Sequence, residues 1–454
     1  MRVLICGAGI AGISAAYALS VRHGVRDILL VDPRPPLSLT SDKSTEAYRN
    51  WWPGPDGAMI ALMNRSIDLM ESLARASGNR FLLNRRGYVY ATAREDTAQA
   101  LIRAAENAAQ WGAGPVRLHT SPRAPAYRPS PPEGWENSPD GVDILTHPEA
   151  IRTHFPYLNP ATRMVLHVRR AGWLSAHQLG MYMLEQARDA GVRLLSGEVV
   201  GVETRGGRVH RVHVQSERGL SDVVVDVFVN AAGPFVQHVA HMLGVDIPIL
   251  WEQHTKLAFN DYMGIIPRDA PLLIWSDPQY IPWEEEERAF LAETEEGRAL
   301  LEEFPPGVHA RPEGAGESPI VLMLWDYHTQ PVLPRFPLEF DPLFPDIVLR
   351  GMTTAVPALR AYWDRAPKPL VDGGYYTKTR ENLPLIGPLP VEGAFVIGAL
   401  SGFGIMAACG AGELLAAHIV GAPLPEDAVA FHPARYSDPH LYPRLSAWRG
   451  EWQL

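Results

Sequence analysis

The sequence predicts an α/β protein of two domains, one of them built on a parallel sheet with helices. Three observations support this. The 454 residues are too many for one small core and suit two domains. The chain opens on a strand, a glycine cluster, a helix and a second strand, which is a βαβ pattern. A strand and an apolar helix that begins among glycines follow near the end, so the first domain is expected to be discontinuous in sequence.

The composition excludes several classes of function. A hydrophobic fraction of 46% and a charged fraction of 20% are typical of soluble globular proteins, and the net charge of -10 disfavours a nucleic-acid surface. The two cysteines, Cys6 and Cys409, have no metal-ligand spacing, so we expect no metal site. No apolar run approaches the ~20 residues of a membrane span, and no secretory signal precedes the first strand. We therefore expect a cytoplasmic protein.

The first 32 residues are the most informative segment. Residues 2–6 form a short apolar run that indicates a buried parallel strand. Residues 10–23 carry apolar side chains at helical spacing, and residues 27–32 form a second apolar run that ends on an acid. Together they predict a compact βαβ unit.

The glycines between the first strand and the helix, Gly7, Gly9 and Gly12, stand in the order GxGxxG. The first permits a tight turn, the second lets the backbone approach a pyrophosphate, and the third lets helix and strand pack closely. Asp32 ends the next strand about 20 residues on, where an acid binds ribose hydroxyls and disfavours the extra phosphate of NADP. The pattern predicts a Rossmann-type dinucleotide site, but by itself it leaves FAD and NAD open.

The later elements follow from periodicity and turn residues. In chain order, the sequence predicts a helix over 57–77, a strand at 87–90, a surface loop over 120–141, a helix over 177–190, a strand that begins at 192–194 and resumes at 199–202, a hairpin turn at Gly206-Gly207 into a strand at 209–214, a strand over 223–230, an acidic helical insertion over 284–303, a strand at 394–399 and a helix over 404–419.

Motifs in chain order then identify a family. They are GAGIAGISAAYAL with Asp32, Thr40 to Thr45, Gly172 to Ser175, Val229 to Pro234, and Tyr376 to Gly387 followed by Gly398 and Ser401 to Ile405. This series resembles the FAD-dependent D-amino-acid oxidase superfamily, especially its sarcosine-oxidase, glycine-oxidase and dimethylglycine-dehydrogenase branches. The resemblance implies an FAD-binding domain over 1–80, 150–242 and 373–430, and a substrate domain over 81–149 and 243–372 with a mixed, mainly antiparallel sheet above the flavin. Residues 431–454 are expected to form a C-terminal tail.

The resemblance also implies which residues contact the FAD. They are Gly7, Ala8, Gly9, Ile10, Gly12, Asp32, Pro33, Arg34, Ser44, Thr45, Val199, Ala231, Ala232, Gly233, Gly398, Gly402, Phe403, Gly404, Ile405 and Met406. A helix that begins near Gly404 would direct its positive end at the flavin and stabilise negative charge on the reduced ring. Some branches attach the flavin through a histidine or a cysteine. Here Asp42 and Lys43 occupy the loop in question and Gly374 stands at the cysteine position, so we expect non-covalent FAD.

The expected reaction is oxidation of a C–N bond in an amino acid or secondary amine. The family lysine that holds a substrate carboxylate is Met406 here. If the substrate has a carboxylate, its cation must come from elsewhere, and Arg49, His254 and Lys256 are the candidates. Tyr376 matches an active-site tyrosine of the family. The electron acceptor is expected to be dioxygen or a quinone- or dye-type carrier. A hydroxy-acid or glycerol-phosphate dehydrogenase and a non-catalytic assembly flavoprotein stay open as alternatives.

Overall fold

The structure, a computed structural model, describes residues 1–52, 54–121 and 126–447. The strands are β1 Arg2–Cys6, β2 Asp27–Asp32, β3 Ala47–Arg49, β4 Tyr88–Thr92, β5 Val116–His119, β6 Val142–Leu145, β7 Met164–Val168, β8 Ala171–Trp173, β9 Arg193–Ser196, β10 Glu198–Arg205, β11 Arg208–Ser216, β12 Gly219–Val224, β13 Val227–Asn230, β14 Ile249–Asn260, β15 Leu272–Trp275, β16 Gln279–Tyr280, β17 Glu303–Phe304, β18 His309–Pro312, β19 Ile320–Leu324, β20 Leu370–Thr379, β21 Leu385–Pro388 and β22 Ala394–Gly398. The α-helices are α1 Ile10–Tyr17, α2 Ala58–Ser77, α3 Glu95–Gln110, α4 Pro148–His154, α5 Ala176–Asp189, α6 Val236–His241, α7 Glu285–Leu291, α8 Glu295–Ala299, α9 Phe344–Ala355, α10 Gly404–Val420 and α11 Leu441–Ser446.

A six-stranded sheet of order β21-β22-β13-β1-β2-β9 forms the base of the molecule. Its strands run parallel except for the edge strand β21. Helices α1, α5 and α10 pack together in one core with residues on one face of this sheet. The other face of the six-stranded sheet shares a second core with the small sheet β10-β11-β12. These features confirm the predicted α/β fold with a Rossmann-type domain.

A nine-stranded sheet of order β20-β14-β19-β18-β15-β4-β7-β6-β5 lies above the first. Only the pairs β15·β4 and β5·β6 are parallel, so the sheet is mixed and mainly antiparallel, as predicted. One face packs on α9, and the other contributes Tyr88, Tyr90 and Ile274 to the core that holds α1. We call this sheet the roof. Strands β7 and β20 belong to the roof, although most of their residues fall in ranges that the sequence assigned to the FAD-binding domain.

Some predicted bounds were wrong. The single strand expected over 223–230 is two strands in different sheets, because β12 pairs antiparallel with β11 whereas β13 pairs parallel with β1. The helix expected over 10–23 changes to a π-helical turn over Ala18–Arg22. In both cases a continuous apolar pattern hid a change of strand partner or of hydrogen-bond spacing. The acidic insertion is helical, as predicted, and consists of two short helices, α7 and α8.

One described segment, Ser401–Val420, has the length and apolar composition of a membrane-spanning helix. Most of it is buried, because α10 packs against α1 and α2. The segment is therefore explained as a core helix, and no membrane span is evident in the described residues.

Candidate active site

A cavity of about 300 Å³ lies between the base sheet and the roof. Of the residues that the sequence assigned to the cofactor, those on its wall are Gly7, Gly9, Ile10, Asp32, Pro33, Arg34, Ser44, Val199, Ala231, Ala232, Gly233, Gly398, Gly402, Gly404 and Ile405. Those off the wall are Ala8, Gly12, Thr45, Phe403 and Met406. The cavity thus joins the N-terminal glycine turn to the C-terminal glycine loop, which lie almost 400 residues apart in sequence.

The glycine turn after β1 is sterically constrained. Gly7 has φ +112°, and a Cβ there would lie 2.3 Å from the carbonyl oxygen of Ala231. A Cβ on Gly12 would lie 1.9 Å from the carbonyl oxygen of Gly7, so helix and strand could not approach as they do. Gly9 differs, because its Cβ would meet only the Ser41 hydroxyl, at 3.2 Å. Gly7 and Gly12 are therefore required by the fold, whereas Gly9 leaves the backbone open toward the cavity.

Two side chains hold the turn in place. Both carboxylate oxygens of Asp32 accept backbone hydrogen bonds at 2.8 Å, one from the N–H of Ala8 and one from the N–H of Arg34. The Ser41 hydroxyl accepts from the N–H of Ile10 at 3.0 Å, at the start of α1. Asp32 keeps lone pairs toward the cavity, so its predicted role toward the ribose stays a prediction. Ser41 was missing from the predicted cofactor set, although the hydroxyl-rich loop was the available signal.

The other end of the cavity suits a flat ring. A Cβ on Gly402 would lie 2.5 Å from the ring of Tyr376, so the glycine lets loop and tyrosine pack together on the wall. Helix α10 begins at Gly404 with no side-chain cap, and its first N–H groups point toward this end. Phe403 turns away and packs edge-on against Trp52, with ring centroids 4.9 Å apart. The free N–H groups at the start of α10 and the absence of side chains at Gly402 and Gly404 fit the ring of a flavin dinucleotide.

Gly402→Ala is expected to weaken FAD binding by about tenfold or more, because the new methyl must displace Tyr376 or the loop, and such overpacking typically costs 1–3 kcal/mol. Titration of the apoprotein with FAD measures the effect. Gly404→Ala is the matched control, since its Cβ would lie 3.6 Å from Leu400 and meet no clash. Equal FAD affinity in the two variants would contradict the prediction.

The hydroxyl-rich loop Thr40 to Thr45 is tied to the roof. The ammonium of Lys256 donates to the carbonyl oxygens of Asp42, at 2.8 Å, and Ser44, at 3.2 Å. Burial lowers the pKa of Lys256 below its ordinary value. Gly374 faces the same loop, since its Cβ would lie 3.3 Å from Thr40. Lys256 lies off the cavity wall, so a catalytic role for it stays a prediction, as does the non-covalent state of the flavin.

His254 belongs to a buried charged network behind Tyr376. Its Nδ1 lies 2.6 Å from Oδ1 of Asp326 and its Nε2 lies 3.2 Å from Oε2 of Glu252, which also accepts from Lys378 at 3.0 Å. Burial disfavours the imidazolium, but the two carboxylates outweigh it and raise the pKa of His254. Tyr376 stacks on this ring, with centroids 3.6 Å apart and planes 17° apart. His254 thus reaches the cavity only through Tyr376.

Arg49, at the end of β3, is fully buried on the underside of the roof. Its Nε donates to the carbonyl of Trp51 at 3.0 Å, and its guanidinium lies 4.8 Å from the Trp52 ring and 5.6 Å from the Tyr88 ring. Among residues 1–52, 54–121 and 126–447, neither Nη1 nor Nη2 has a hydrogen-bond partner, and no carboxylate pairs with the guanidinium. Trp52 separates it from Phe403 and the cavity end. A buried guanidinium with two unsatisfied donors among the described residues therefore lies behind Trp52, off the cavity wall.

Comparison with known proteins gives a consistent picture. The DAO model of FAD-dependent oxidoreductases matches residues 2–418, while no curated protein sequence matches the chain. The fold is similar to L-proline dehydrogenase from P. horikoshii, with a TM-score of 0.72, 18% identity, and coverage of 96% of this chain and 97% of that one. It is also similar to glycine oxidase from Geobacillus kaustophilus, with a TM-score of 0.70, 16% identity, and coverage of 95% and 97%. L-amino acid deaminase from Proteus vulgaris has a TM-score of 0.70 and 15% identity, with 96% of each chain covered.

Proposed function

The chain belongs to the DAO family of FAD-dependent oxidoreductases, and from this premise we propose that it oxidises the C–N bond of an amine that carries a carboxylate. It is an enzyme and FAD is its cofactor, as the sequence predicted. The observation that carries the substrate proposal is Arg49. A buried guanidinium with unpartnered Nη1 and Nη2 within the described chain has the geometry to bind a carboxylate through two parallel hydrogen bonds.

The FAD, Arg49 and the surrounding aromatic side chains have separate roles in the proposed reaction. Bound FAD supplies the two-electron oxidant that accepts a hydride equivalent from the carbon next to nitrogen. Arg49 orients the carboxylate, and the rings of Trp52, Tyr88 and Tyr90 exclude water from the substrate. Burial raises the pKa of Tyr376, so its phenol stays neutral and is available as a hydrogen-bond donor on the cavity wall. The aromatic surroundings favour an apolar substituent on the substrate.

An amino acid and a hydroxy acid share the carboxylate, so Arg49 alone does not distinguish the two. A series of ligands does. We expect α-amino acids or N-methyl amino acids to reduce the enzyme-bound flavin anaerobically, as followed by loss of its visible absorbance. The decarboxylated amines of the same skeletons are expected to react at least about 100-fold more slowly in kcat/KM, because they leave the guanidinium uncompensated.

Three outcomes would contradict this proposal. Equal rates for amino acids and their decarboxylated amines would remove the role of the carboxylate. Reduction by hydroxy acids or polyol phosphates, without any by amines, would assign the alternative dehydrogenase reaction. Absence of reduction by every compound, together with a co-purifying partner, would favour the assembly-factor alternative. Reoxidation by dioxygen, compared with a quinone or dye, then assigns the electron acceptor.

A further inference from the structure

The roof places a second buried histidine, His309, on the same face as the residues of the proposed site. In the sheet register, His309 pairs with Ile274, which pairs with Tyr90 on the next strand. On its other side His309 pairs with Leu324, which pairs with Lys256. Paired residues in neighbouring strands point to the same face, so His309 faces the base sheet together with Tyr90 and Lys256.

The ring of His309 has one nitrogen fixed and one unpartnered. Nδ1 lies 2.9 Å from the carbonyl oxygen of Gly307. A carbonyl only accepts, so Nδ1 carries the hydrogen and, in the neutral ring, Nε2 keeps its lone pair. His309 is 1% exposed, and Nε2 is buried without a partner anywhere in the described chain. A buried acceptor left open in this way is unfavourable unless a ligand or a water satisfies it.

Burial and two nearby guanidinium groups disfavour the charged form of His309. Burial is the largest influence and lowers the pKa of His309, while Asp326, beyond the end of β19, opposes the effect. Arg49 on β3 and Arg311 on the same strand as His309 both lower the pKa further. Lys256, two strands away in the same row, adds positive charge to this face.

His309 and His254 are set up for opposite protonation states. His254 has a carboxylate at each ring nitrogen, an arrangement that favours the imidazolium and leaves neither nitrogen open to take a substrate proton. His309 has a carbonyl at one nitrogen and an open lone pair at the other. Neighbouring groups whose environments separate their pKa values in this way mark acid and base positions. His309 is therefore the base-competent histidine of the pair.

Arg49 and His309 complement the two ends of a zwitterionic amino acid. The positive charge of Arg49 acts to lower the pKa of both Tyr90 and His309. The hydroxyl of Tyr90 is also buried and, within the described residues, unpartnered. The open donors of Arg49 and the open acceptor of His309 thus lie on the same side of the roof, near the buried rings of Tyr88 and Tyr90. A carboxylate and an ammonium group are the charges that would satisfy them.

We propose that His309 is a catalytic residue that accepts a hydrogen bond from the substrate ammonium and takes its proton at Nε2. An N–H bond of the ammonium breaks, an N–H bond forms at Nε2, and one positive charge passes from substrate to ring with no transfer of electrons. The amine is left neutral, with the lone pair that a C=N bond requires. The inference rests on the proposed function, and it deepens that function by naming the group that binds and deprotonates the substrate amine.

The first test is the pH dependence of the rate. His309→Gln keeps a hydrogen-bond acceptor but removes the base, so kcat/KM for an α-amino acid near pH 7 is expected to fall about 100-fold or more. The rate of the variant should recover toward the pKa of the free amine, where the substrate is already neutral. The acidic limb that reports protonation of His309, below the ordinary histidine pKa, should disappear.

A second histidine provides the control. His418, at the far end of α10, has a pKa lowered to about 4 by burial, and its Nε2 has no hydrogen-bond partner in the part of the chain that the structure covers. His418→Gln should leave the pH profile unchanged. If His309→Gln keeps both the wild-type rate near pH 7 and its acidic limb, the proposal is overturned.

The second test is binding without turnover. The probe is 2-aminoisobutyrate, whose carbon next to nitrogen carries no hydrogen and cannot be oxidised, and its matched control is pivalate, in which a methyl group replaces the amine. Calorimetry in buffers of different ionisation enthalpy measures both affinity and proton release. We expect His309→Gln to bind 2-aminoisobutyrate about tenfold more weakly and to release more protons than the wild type, while pivalate binding is unchanged.

The two ligands also separate this inference from the function on which it rests. Arg49→Met should lose both ligands, whereas His309→Gln should lose only the one with the amine. Equal losses of pivalate and 2-aminoisobutyrate in His309→Gln would indicate general disruption and overturn the role of His309. The role of His309 would also be overturned if the wild-type enzyme bound 2-aminoisobutyrate no more tightly than pivalate. Carboxylate binding would in that case be intact. Failure of the wild type to bind either ligand would count against the proposed function itself.

Discussion

Arg49→Met lowers kcat/KM for a carboxylate-bearing amine by about two to three orders of magnitude, because removal of one partner of a buried, hydrogen-bonded charge pair typically costs 2–5 kcal/mol. Methionine fills most of the same space among the rings of Trp52 and Tyr88, so the enclosure is kept. Stopped-flow reduction of the flavin measures the effect. Decarboxylated amines should lose little, since they make no bond to the guanidinium.

Stability separates this role from a structural one. A structural arginine is paired, and its loss destabilises the fold. Arg49 has no carboxylate partner among the described residues, so its replacement removes an uncompensated buried charge and should leave the melting temperature unchanged or slightly higher. Arg49→Lys, which keeps the charge but not the two parallel donors, should have an intermediate rate. A large drop in melting temperature with normal kinetics would show that Arg49 serves the fold.

Gly9→Val abolishes FAD binding while the apoprotein stays folded. Gly9 has φ -74° and ψ -179°, which any residue adopts, and its Cβ would meet only the Ser41 hydroxyl, at 3.2 Å. The new side chain instead occupies the space that the pyrophosphate needs at the start of α1. We expect the purified variant to carry less than about a tenth of the wild-type flavin, which corresponds to more than 1.4 kcal/mol of lost binding.

The flavin absorbance per protein and the circular dichroism spectrum test this prediction together. Gly201→Val is the matched control, because its Cβ would meet a similar side-chain contact, His213 at 3.1 Å, on the sheet β10-β11-β12. That variant should keep its FAD. Gly12→Ala is expected to fail differently, by loss of the fold, since its Cβ would lie 1.9 Å from the carbonyl of Gly7. A yellow Gly9→Val enzyme with full flavin content would show that the dinucleotide lies elsewhere.

Much of the fold was predictable because the βαβ unit is encoded locally. The strand, the glycine turn and the second strand appear at the predicted positions, β1, Gly7 to Gly12 and β2, since tight turns and buried strands depend on adjacent residues. The strand over 223–230 was missed for the converse reason. Its apolar run is continuous in sequence, but the first part, β12, pairs with β11 and the second part, β13, pairs with β1. Distant segments decide where this change of partner occurs.

The substrate side was less accessible to sequence reasoning. Arg49, His254 and Lys256 were all plausible cations, and only the tertiary structure distinguishes their surroundings. The ammonium of Lys256 is bound by two loop carbonyls, and His254 is enclosed by two carboxylates. His309 was not among the predicted site residues, because a single histidine on a short strand carries no local signal.

The sequence by itself determined the Rossmann-type dinucleotide turn, because the glycine spacing and the acid at Asp32 are properties of one contiguous segment. The later motifs, up to Ile405, then identified the dinucleotide as FAD by their resemblance to a family. The tertiary structure decided which polar atoms are left unpartnered. Strands β4, β15, β18, β19 and β14 lie side by side in the roof, although 232 positions separate Tyr90 on β4 from Leu322 on β19. That register turns His309 toward the base sheet, and Arg49 on β3 is buried below the roof. Both side chains keep polar atoms without a partner among the described residues, a property that no sequence pattern records.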